Sequence, residues 1–212
     1  MVKLFSKLCF IVFILVFIVK TCLAQIILFG ECIEVGTMKH FSIDGFLGKW
    51  YEVQKFPAWY SNHSHCSYKQ IQACGRRIEV QHAFVREDIQ YILHVNSTYA
   101  PGDEAILKFR ENNIDPVGIP MTVISTDYIN YALVYGCNYK ADLDLKYLAA
   151  WILSREPTLS NELLQKARDE LQAIPFANVV YLEAVDHTEE KCQHHWTANV
   201  QAVNLYDDDD KD

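Results

Sequence analysis

The chain has 212 residues, half of them hydrophobic, and a formal net charge of −8 at pH 7. This length suits one domain with a sizeable core. The acidic balance argues against nucleic acid or an anionic membrane surface as a partner.

The first segment has the pattern of a secretory signal peptide. Lys3 and Lys7 precede an apolar run, Leu8 to Val19, which is followed by small residues suited to cleavage. The run is shorter than the roughly 18 apolar residues of a membrane-spanning helix. We therefore expect residues 1–24 to be removed, residues 25–200 to form one domain, and the protein to be secreted into the extracellular space.

Three further features bear on export. The chain ends in "DDDDKD", and residues 201–212 are expected to form a solvated, disordered acidic tail. No hydrophobic segment precedes this end, so neither a transmembrane anchor nor a lipid anchor is expected. Asn-x-Ser/Thr sequons begin at Asn62 and Asn96, and both would lie on the surface if glycosylated.

Five of the seven cysteines lie beyond the expected cleavage site, namely Cys32, Cys66, Cys74, Cys137 and Cys192. In an oxidising compartment this odd number predicts two disulfides and one remaining thiol. The residues alone leave the pairing open.

The middle of the chain alternates short β segments with turn residues. Eight candidate strands occupy residues 49–57, 66–73, 76–86, 89–98, 104–110, 121–127, 130–137 and 145–154. Hairpin-linked strands of this number close into an up-and-down barrel without exposed edges. The stretch "PTLSNELLQKARDELQAI" then has apolar residues at helical spacing. We therefore predict an all-β fold, an eight-stranded antiparallel barrel with one C-terminal α-helix packed on its outside.

A barrel of eight strands can hold one small ligand, because inward and outward side chains alternate. On one candidate strand Tyr147, Ala149, Trp151 and Leu153 share a face, although the opposite face is also apolar. The predicted cavity lining comprises Trp151, Tyr131, Leu133, Tyr135, Tyr147 and Ile71.

Three segments resemble the lipocalin family in order and spacing. They are "GKWYEVQKFP", "STDYINYALVYGC" and "AWILSRE". Within the family, the chain looks most like the apolipoprotein D group and its insect relatives, including bilin-binding proteins and Lazarillo. The residues that match the structural motifs are Gly48, Trp50, Thr126, Asp127, Tyr128 and Arg155.

The resemblance implies roles for several residues. Arg155 would lie across Trp50 at the closed end of the barrel, a structural cation–π contact. The implied disulfides are Cys32 with Cys137 and Cys66 with Cys192, which leaves Cys74 without a partner. In similar proteins, the residue corresponding to Trp151 faces the ligand.

Several polar residues are candidates for additional sites. His63, His65, His194 and His195 flank the Cys66 and Cys192 pair, so they could form a transition-metal site, a pH-sensitive patch or an ordinary solvated loop. We assign no metal to them. A haem role would require an inward histidine, and His82 and His94 are expected to face outward.

The sequence thus predicts a carrier that binds one small hydrophobic ligand, such as a bilin, fatty acid, retinoid or sterol, rather than an enzyme. No cofactor is required, although a bound bilin would make the protein a pigment carrier. The alternative is a stress-protective protein that reduces lipid peroxides through Cys74 or Met121, with Arg76 and Arg77 as the cations near the thiol. A signalling role through a cell-surface receptor is a third candidate.

Overall fold

The computed structural model describes residues 25–75, 77–98 and 105–205, and the predicted signal peptide lies outside these ranges. Eight antiparallel strands in chain order form the barrel. They are β2 (Gly48–Lys55), β3 (His65–Cys74), β4 (Arg77–Arg86), β5 (Ile89–Thr98), β6 (Ile106–Phe109), β7 (Met121–Thr126), β8 (Tyr131–Lys140) and β9 (Leu145–Ser154).

The barrel closes because its last strand pairs with its first. Each strand from β2 to β9 pairs with the next, and β9 pairs in turn with β2. The β2–β9 register shifts between Glu52 and Gln54, a bulge that bends the strand. The predicted eight-stranded antiparallel barrel is confirmed.

The predicted helix follows the barrel as α2 (Asn161–Gln172), after the short helix α1 (Ile43–Phe46) that precedes β2. The side chain of Ser160 caps α2 by accepting a hydrogen bond from the amide of Leu163. Ala167 and Leu171 are fully buried against the outer faces of β8 and β9. Within the described ranges, no helix is long and apolar enough to cross a membrane.

Three short strands extend the sheet beyond the barrel. β1 (Ile26–Phe29) pairs with β9, and β10 (Glu183–Ala184) pairs with β2. The strand β11 (Trp196–Gln201) pairs in parallel with β5. β6 covers only the last two residues of β5, so β11 occupies the edge that β5 would otherwise expose.

The C-terminal segment is ordered further than the sequence suggests. Asn204 forms a bridge with Asn112, and the amide of Leu205 donates to the carbonyl of Glu111. Residues 201–205 therefore belong to the folded part of the chain, although the acidic tail is expected from residue 201. Residues 206–212 lie outside the described ranges.

The closed end of the barrel brings the motif residues together. The Arg155 guanidinium lies 3.7 Å from the centre of the Trp50 ring, which is fully buried. Arg155 also donates hydrogen bonds to the carbonyls of Tyr128, Lys49 and Gly45. These contacts seal the base and leave the other end of the barrel as the entrance.

Glycine is required beside this arginine. Gly48 has φ +99°, and a Cβ there would lie 3.2 Å from the Arg155 guanidinium. In the adjoining turn, the Asp127 carboxylate accepts hydrogen bonds from the amides of Ile129, Asn130 and Tyr131. The motif residues Thr126, Asp127 and Tyr128 thus shape the turn between β7 and β8.

Candidate ligand-binding cavity

A cavity occupies the middle and open end of the barrel interior. Its volume is about 70 Å³, several times what one ordered water requires. Most of its lining is apolar and comes from β4, β5, β6, β7, β9 and the adjoining loops. The lining residues include Phe56, Val80, Leu93, Val95, Phe109, Ile114, Ile119, Met121, Ala149 and Trp151.

One wall of this interior carries charge. Glu52 on β2 is fully buried, and its two carboxylate oxygens lie 2.9 Å from Lys69 Nζ and 3.5 Å from Lys55 Nζ. Because side chains along a strand alternate between its two faces, Glu52 lies on the same inward face as Trp50. We name Glu52, Lys55, Lys69 and His82 the charged wall.

The two lysines of the charged wall differ in their surroundings. Lys55 Nζ lies 2.8 Å from the hydroxyl of Ser61 and 3.3 Å from that of Ser64, and Lys55 does not border the cavity. Lys69 borders the cavity and lies 4.7 Å from the centre of the Trp151 ring. Lys69 is therefore the cation that a ligand would meet.

Glu52 and Lys69 form a close ion pair, and their surroundings shift the pKa of each. Burial opposes the charge of Glu52, but the neighbouring positive groups, His82 when protonated and the two lysines, hold its pKa well below its ordinary value. Burial lowers the pKa of Lys69, and attraction to Glu52 limits that fall. The 2.9 Å contact is thus a buried ion pair.

His82 faces inward, which corrects the expectation that it points out of the barrel. Its side chain borders the cavity, and its Nε2 lies 3.2 Å from a Glu52 oxygen without hydrogen-bond alignment. Burial lowers the pKa of His82 from 6.5 to about 4, although Glu52 opposes the shift. The imidazole is therefore neutral at pH 7. His94 does face outward and contacts Glu79 and Asn199.

This buried imidazole should make the protein less stable in mild acid. Because the unfolded chain binds a proton near pH 6.5 and the folded chain only near pH 4, stability falls as pH drops through that interval. Between pH 7 and pH 5 we expect His82 to cost about 2 kcal/mol of unfolding free energy. Urea unfolding at both pH values should show that His82→Gln removes most of this loss. Glu52 contributes to the loss of stability in acid only below its ordinary pKa of 4.5.

A matched control is available on the neighbouring strand. The hydrogen bond with Glu79 raises the pKa of His94, so His94 stabilises the folded state below its ordinary pKa and loses that effect as pH rises. His94→Gln should therefore steepen the loss of stability toward pH 5. If His82→Gln left the acid dependence unchanged, the neutral buried state of His82 would be refuted.

The residues predicted to line the cavity differ in where the structure places them. Trp151 borders it directly and is nearly buried. Tyr147 and Ile71 face the interior core but lie outside the cavity lining.

The remaining three predicted lining residues lie outside the barrel. Tyr131, Leu133 and Tyr135 pack on the outer face of β8 with the helix α2, while Ala132 and Val134 point inward. This corrects the expectation that the three line the cavity. The outer face is apolar because α2 covers it, so alternation could not distinguish the two faces. Burial there raises the pKa of Tyr135 to about 12.

Both implied disulfides are present, Cys32–Cys137 and Cys66–Cys192. Cys74 is free and exposed on the turn at the closed end, and its Sγ lies 3.7 Å from a Glu79 carboxylate oxygen. Arg77 pairs with Cys74 across the turn, but the contact of the thiol itself is with an acid, which does not favour a reactive thiolate. Arg76 lies outside the described residues.

The histidines near the second disulfide do not form a metal centre. In the described part of the chain, no three His, Cys, Asp or Glu side chains meet in a way that could hold a metal ion. The amide of His195 instead donates to the carbonyl of Asp88. His63, His65 and His194 are at least partly exposed, as expected for a solvated loop. Asn62 is half-buried and Asn96 is exposed.

Comparison with known proteins supports the architecture. The model of the lipocalin / cytosolic fatty-acid binding protein family matches residues 47–187. Insecticyanin-B from Manduca sexta is 25% identical over 197 residues, which cover 89% of this chain and 94% of that protein. Bilin-binding protein from Pieris brassicae is 27% identical over 168 residues, or 77% of this chain and 88% of that protein. Apolipoprotein D from Bos taurus is 27% identical over 154 residues, which cover 66% of this chain and 74% of that protein.

Solved structures agree on the fold. The insecticyanin structure from the tobacco hornworm Manduca sexta superposes with a TM-score of 0.71 at 24% identity, covering 84% of this chain and 97% of that one. Lobster apocrustacyanin A1 superposes with a TM-score of 0.62 at 19% identity, covering 77% of this chain and 92% of that one. With a family match over most of the barrel, the chain belongs to the lipocalin / cytosolic fatty-acid binding protein family, a carrier family that is typically non-enzymatic.

Proposed function

We propose that this protein is a secreted carrier that binds one small hydrophobic molecule inside its barrel. The observation that carries the proposal is the cavity bordered by Trp151, which has an apolar lining and one open end. Burial of apolar ligand surface supplies about 25 cal/mol per Å² before the costs of association are subtracted. Secretion is supported by the two disulfides, which persist in oxidising compartments.

A bilin is one candidate ligand, because one relative is named bilin-binding protein. A fatty acid or retinoid is the other candidate, because the cavity lining is mostly apolar. Protein secreted from its own tissue should be examined by absorption spectroscopy and native mass spectrometry. A visible band with the mass of a bilin would favour the pigment role, and a colourless lipid-sized adduct would favour lipid transport.

Replacing the aromatic wall should weaken binding. Trp151→Ala is expected to reduce the affinity for a fluorescent apolar probe, cis-parinaric acid, by about tenfold, because it removes a large rigid contact surface. Fluorescence titration of the delipidated protein measures this change.

The matched control is Trp196→Ala, because Trp196 is 73% exposed on β11 and should bind the probe as the wild type does. Circular dichroism should show that both variants are folded. Undiminished binding by a folded Trp151→Ala variant would place the ligand outside the barrel, and absence of binding by the wild type would count against the carrier function.

A further inference from the structure

We propose that Lys69 captures apolar aldehydes inside the barrel by forming an imine with them, so that a covalent bond holds the ligand in addition to its burial. This inference rests on the carrier function proposed above and names a chemical class of ligand for the same cavity. It follows from the position of one buried amine, the acid and the imidazole beside it, and the apolar walls across the cavity.

The cavity has a single amine on its border. Among the described residues that line it, Lys69 alone carries this group, and its side chain is 4% exposed. In the part of the chain that the structure describes, Nζ has one carboxylate contact, 2.9 Å from Glu52, and one ring contact, 4.7 Å from the centre of Trp151. Lysine amines removed from water are the nucleophiles that form imines with carbonyl compounds. The side of Nζ that these two contacts leave open is available to a carbonyl carbon.

An imine forms from the neutral amine, and the surroundings of Lys69 favour this form once a ligand enters. Burial lowers the pKa of Lys69, while attraction to Glu52 opposes the shift. An apolar molecule in the cavity excludes water further, which raises the cost of the ion pair relative to a neutral amine beside a carboxylic acid. The proton then passes from Nζ to the Glu52 oxygen 2.9 Å away. Rotation about the Cε–Nζ bond turns the lone pair toward the cavity.

The reaction needs no further reactant. The Lys69 nitrogen bonds to the carbonyl carbon, and the carbonyl oxygen takes the proton from Glu52 and becomes a hydroxyl. The nitrogen returns one proton to Glu52, which passes it to the hydroxyl as the C–O bond breaks and water leaves. The nitrogen lone pair forms the C=N bond. One ammonium ion and one aldehyde thus give one protonated imine and one water, and charge is conserved.

The neighbours of Lys69 suit both the proton transfers and the product. His82 Nε2 lies 3.2 Å from the same Glu52 oxygen that faces Lys69, so a neutral imidazole lies within reach of the acid. Within the described residues, neither Glu52 oxygen nor His82 Nε2 has an aligned hydrogen-bond partner, so these buried atoms have capacity for the hydroxyl or the released water. The Glu52 carboxylate and the Trp151 ring then stabilise the cationic imine.

The walls across the cavity fit the rest of such a ligand. Val95 on β5, Phe109 on β6 and Met121 on β7 border the cavity with apolar side chains. A hydrocarbon chain or polyene would lie against them while its aldehyde carbon meets Lys69. Asp115, another acid at the cavity, is already engaged by two backbone amides of its own loop, so Glu52 is the acid that serves the amine.

The first test compares an aldehyde with the corresponding alcohol. Delipidated protein is incubated with all-trans-retinal or all-trans-retinol, treated with sodium cyanoborohydride to reduce any imine, and analysed by denaturing mass spectrometry and peptide mapping. We expect retinal to give one stable adduct, with the mass of the aldehyde less one oxygen atom, on Lys69. It should form at least about tenfold faster there than on any other lysine, because the cavity holds the aldehyde beside this amine. Retinol should bind, as measured by its fluorescence, without an adduct.

The two probes separate this inference from the carrier function. Retinol binding without a retinal adduct on Lys69, or with adducts spread evenly over surface lysines, would overturn the imine and leave the carrier function standing. If neither probe bound, both would be overturned.

The second test removes the amine but keeps its charge. Lys69→Arg cannot form an imine, so we expect the adduct to disappear while retinol affinity changes by less than about threefold. The matched control is Lys49→Met, because Lys49 lies on the outward face of β2 over the Tyr51 and Tyr68 rings, and this variant should keep the adduct. An undiminished adduct in folded Lys69→Arg would refute the role of Lys69. If Lys69→Arg failed to fold, the peptide map of the wild-type adduct would decide.

The third test reads the role of Glu52 from the absorption spectrum. A protonated retinal imine absorbs at longer wavelength than a neutral one, and the Glu52 carboxylate is the counterion that keeps the imine protonated. We expect the unreduced wild-type adduct to show the long-wavelength band at neutral pH and Glu52→Gln to lose it. The same band in folded Glu52→Gln would overturn this role of Glu52. Should that variant not fold, a neutral-imine band in the wild type would overturn it equally.

Discussion

Replacing Glu52 with Gln should lower the free energy of unfolding by about 3–5 kcal/mol, because it leaves Lys55 and Lys69 without their counterion in the barrel. The variant is nearly the same size as the wild type, so packing changes contribute little. Urea denaturation at pH 7, followed by fluorescence, measures the difference.

A double-mutant cycle separates the charge effect from other causes. If the loss reflects stranded positive charge, Lys69→Met in the Glu52→Gln background should recover about 2 kcal/mol relative to the sum of the single changes. Glu79→Gln is the surface control, because Glu79 pairs with His94 near the surface, and it should cost less than about 1 kcal/mol. Additive effects of Glu52→Gln and Lys69→Met would refute the coupling.

The barrel was predictable because local signals agree along the chain. Turn residues separate the segments, and each predicted strand recurs at nearly the predicted position. The face of a strand was harder to assign. Trp151 on β9 faces inward, as predicted. On β8, the helix α2 covers the outer face of the strand, where Leu133 lies, so this face is as apolar as the inner one. Burial on both sides removes the contrast on which alternation depends.

The charged wall escaped prediction although part of its signal is present. Glu52 lies two residues after Trp50, so alternation alone puts both on one face. Because charged residues are usually exposed, sequence reasoning places Glu, Lys and His on the outer face, and their inward orientation is missed. The bulge between Glu52 and Gln54 then shifts the alternation before Lys55. The burial of these groups depends on partners from three strands, which no local pattern contains.

The recognisable motifs and the residues that border the cavity occupy different parts of this barrel. Trp50, Tyr128 and Arg155 close one end through contacts among themselves and with backbone carbonyls. Lys69 and Trp151 border the cavity and lie in contact with each other. The closed end therefore stabilises the barrel, while the residues proposed to contact a ligand lie between it and the open end.

The Cys66–Cys192 disulfide makes the other large contribution to stability. It joins residues 126 apart, for which chain entropy predicts about 5 kcal/mol, and measured losses in small secreted domains are about 2–5 kcal/mol. We expect Cys66→Ser/Cys192→Ser to destabilise the protein by about 4 kcal/mol. The disulfide also holds the segment that leads into β11, so hydrogen exchange should show lost protection at residues 196–201.

Replacing the unpaired cysteine provides the control for this disulfide. Cys74→Ser removes an exposed thiol and should change the unfolding free energy by less than about 0.5 kcal/mol. The double variant should also be made in the Cys74→Ser background, because no remaining thiol can then form a wrong pair. If β11 kept its protection and stability fell by less than about 1 kcal/mol, the pairing of β11 with β5 alone would hold the C-terminal segment. A loss of several kcal/mol with β11 released would mean that the disulfide completes the barrel wall at its open end, beside the entrance to the cavity.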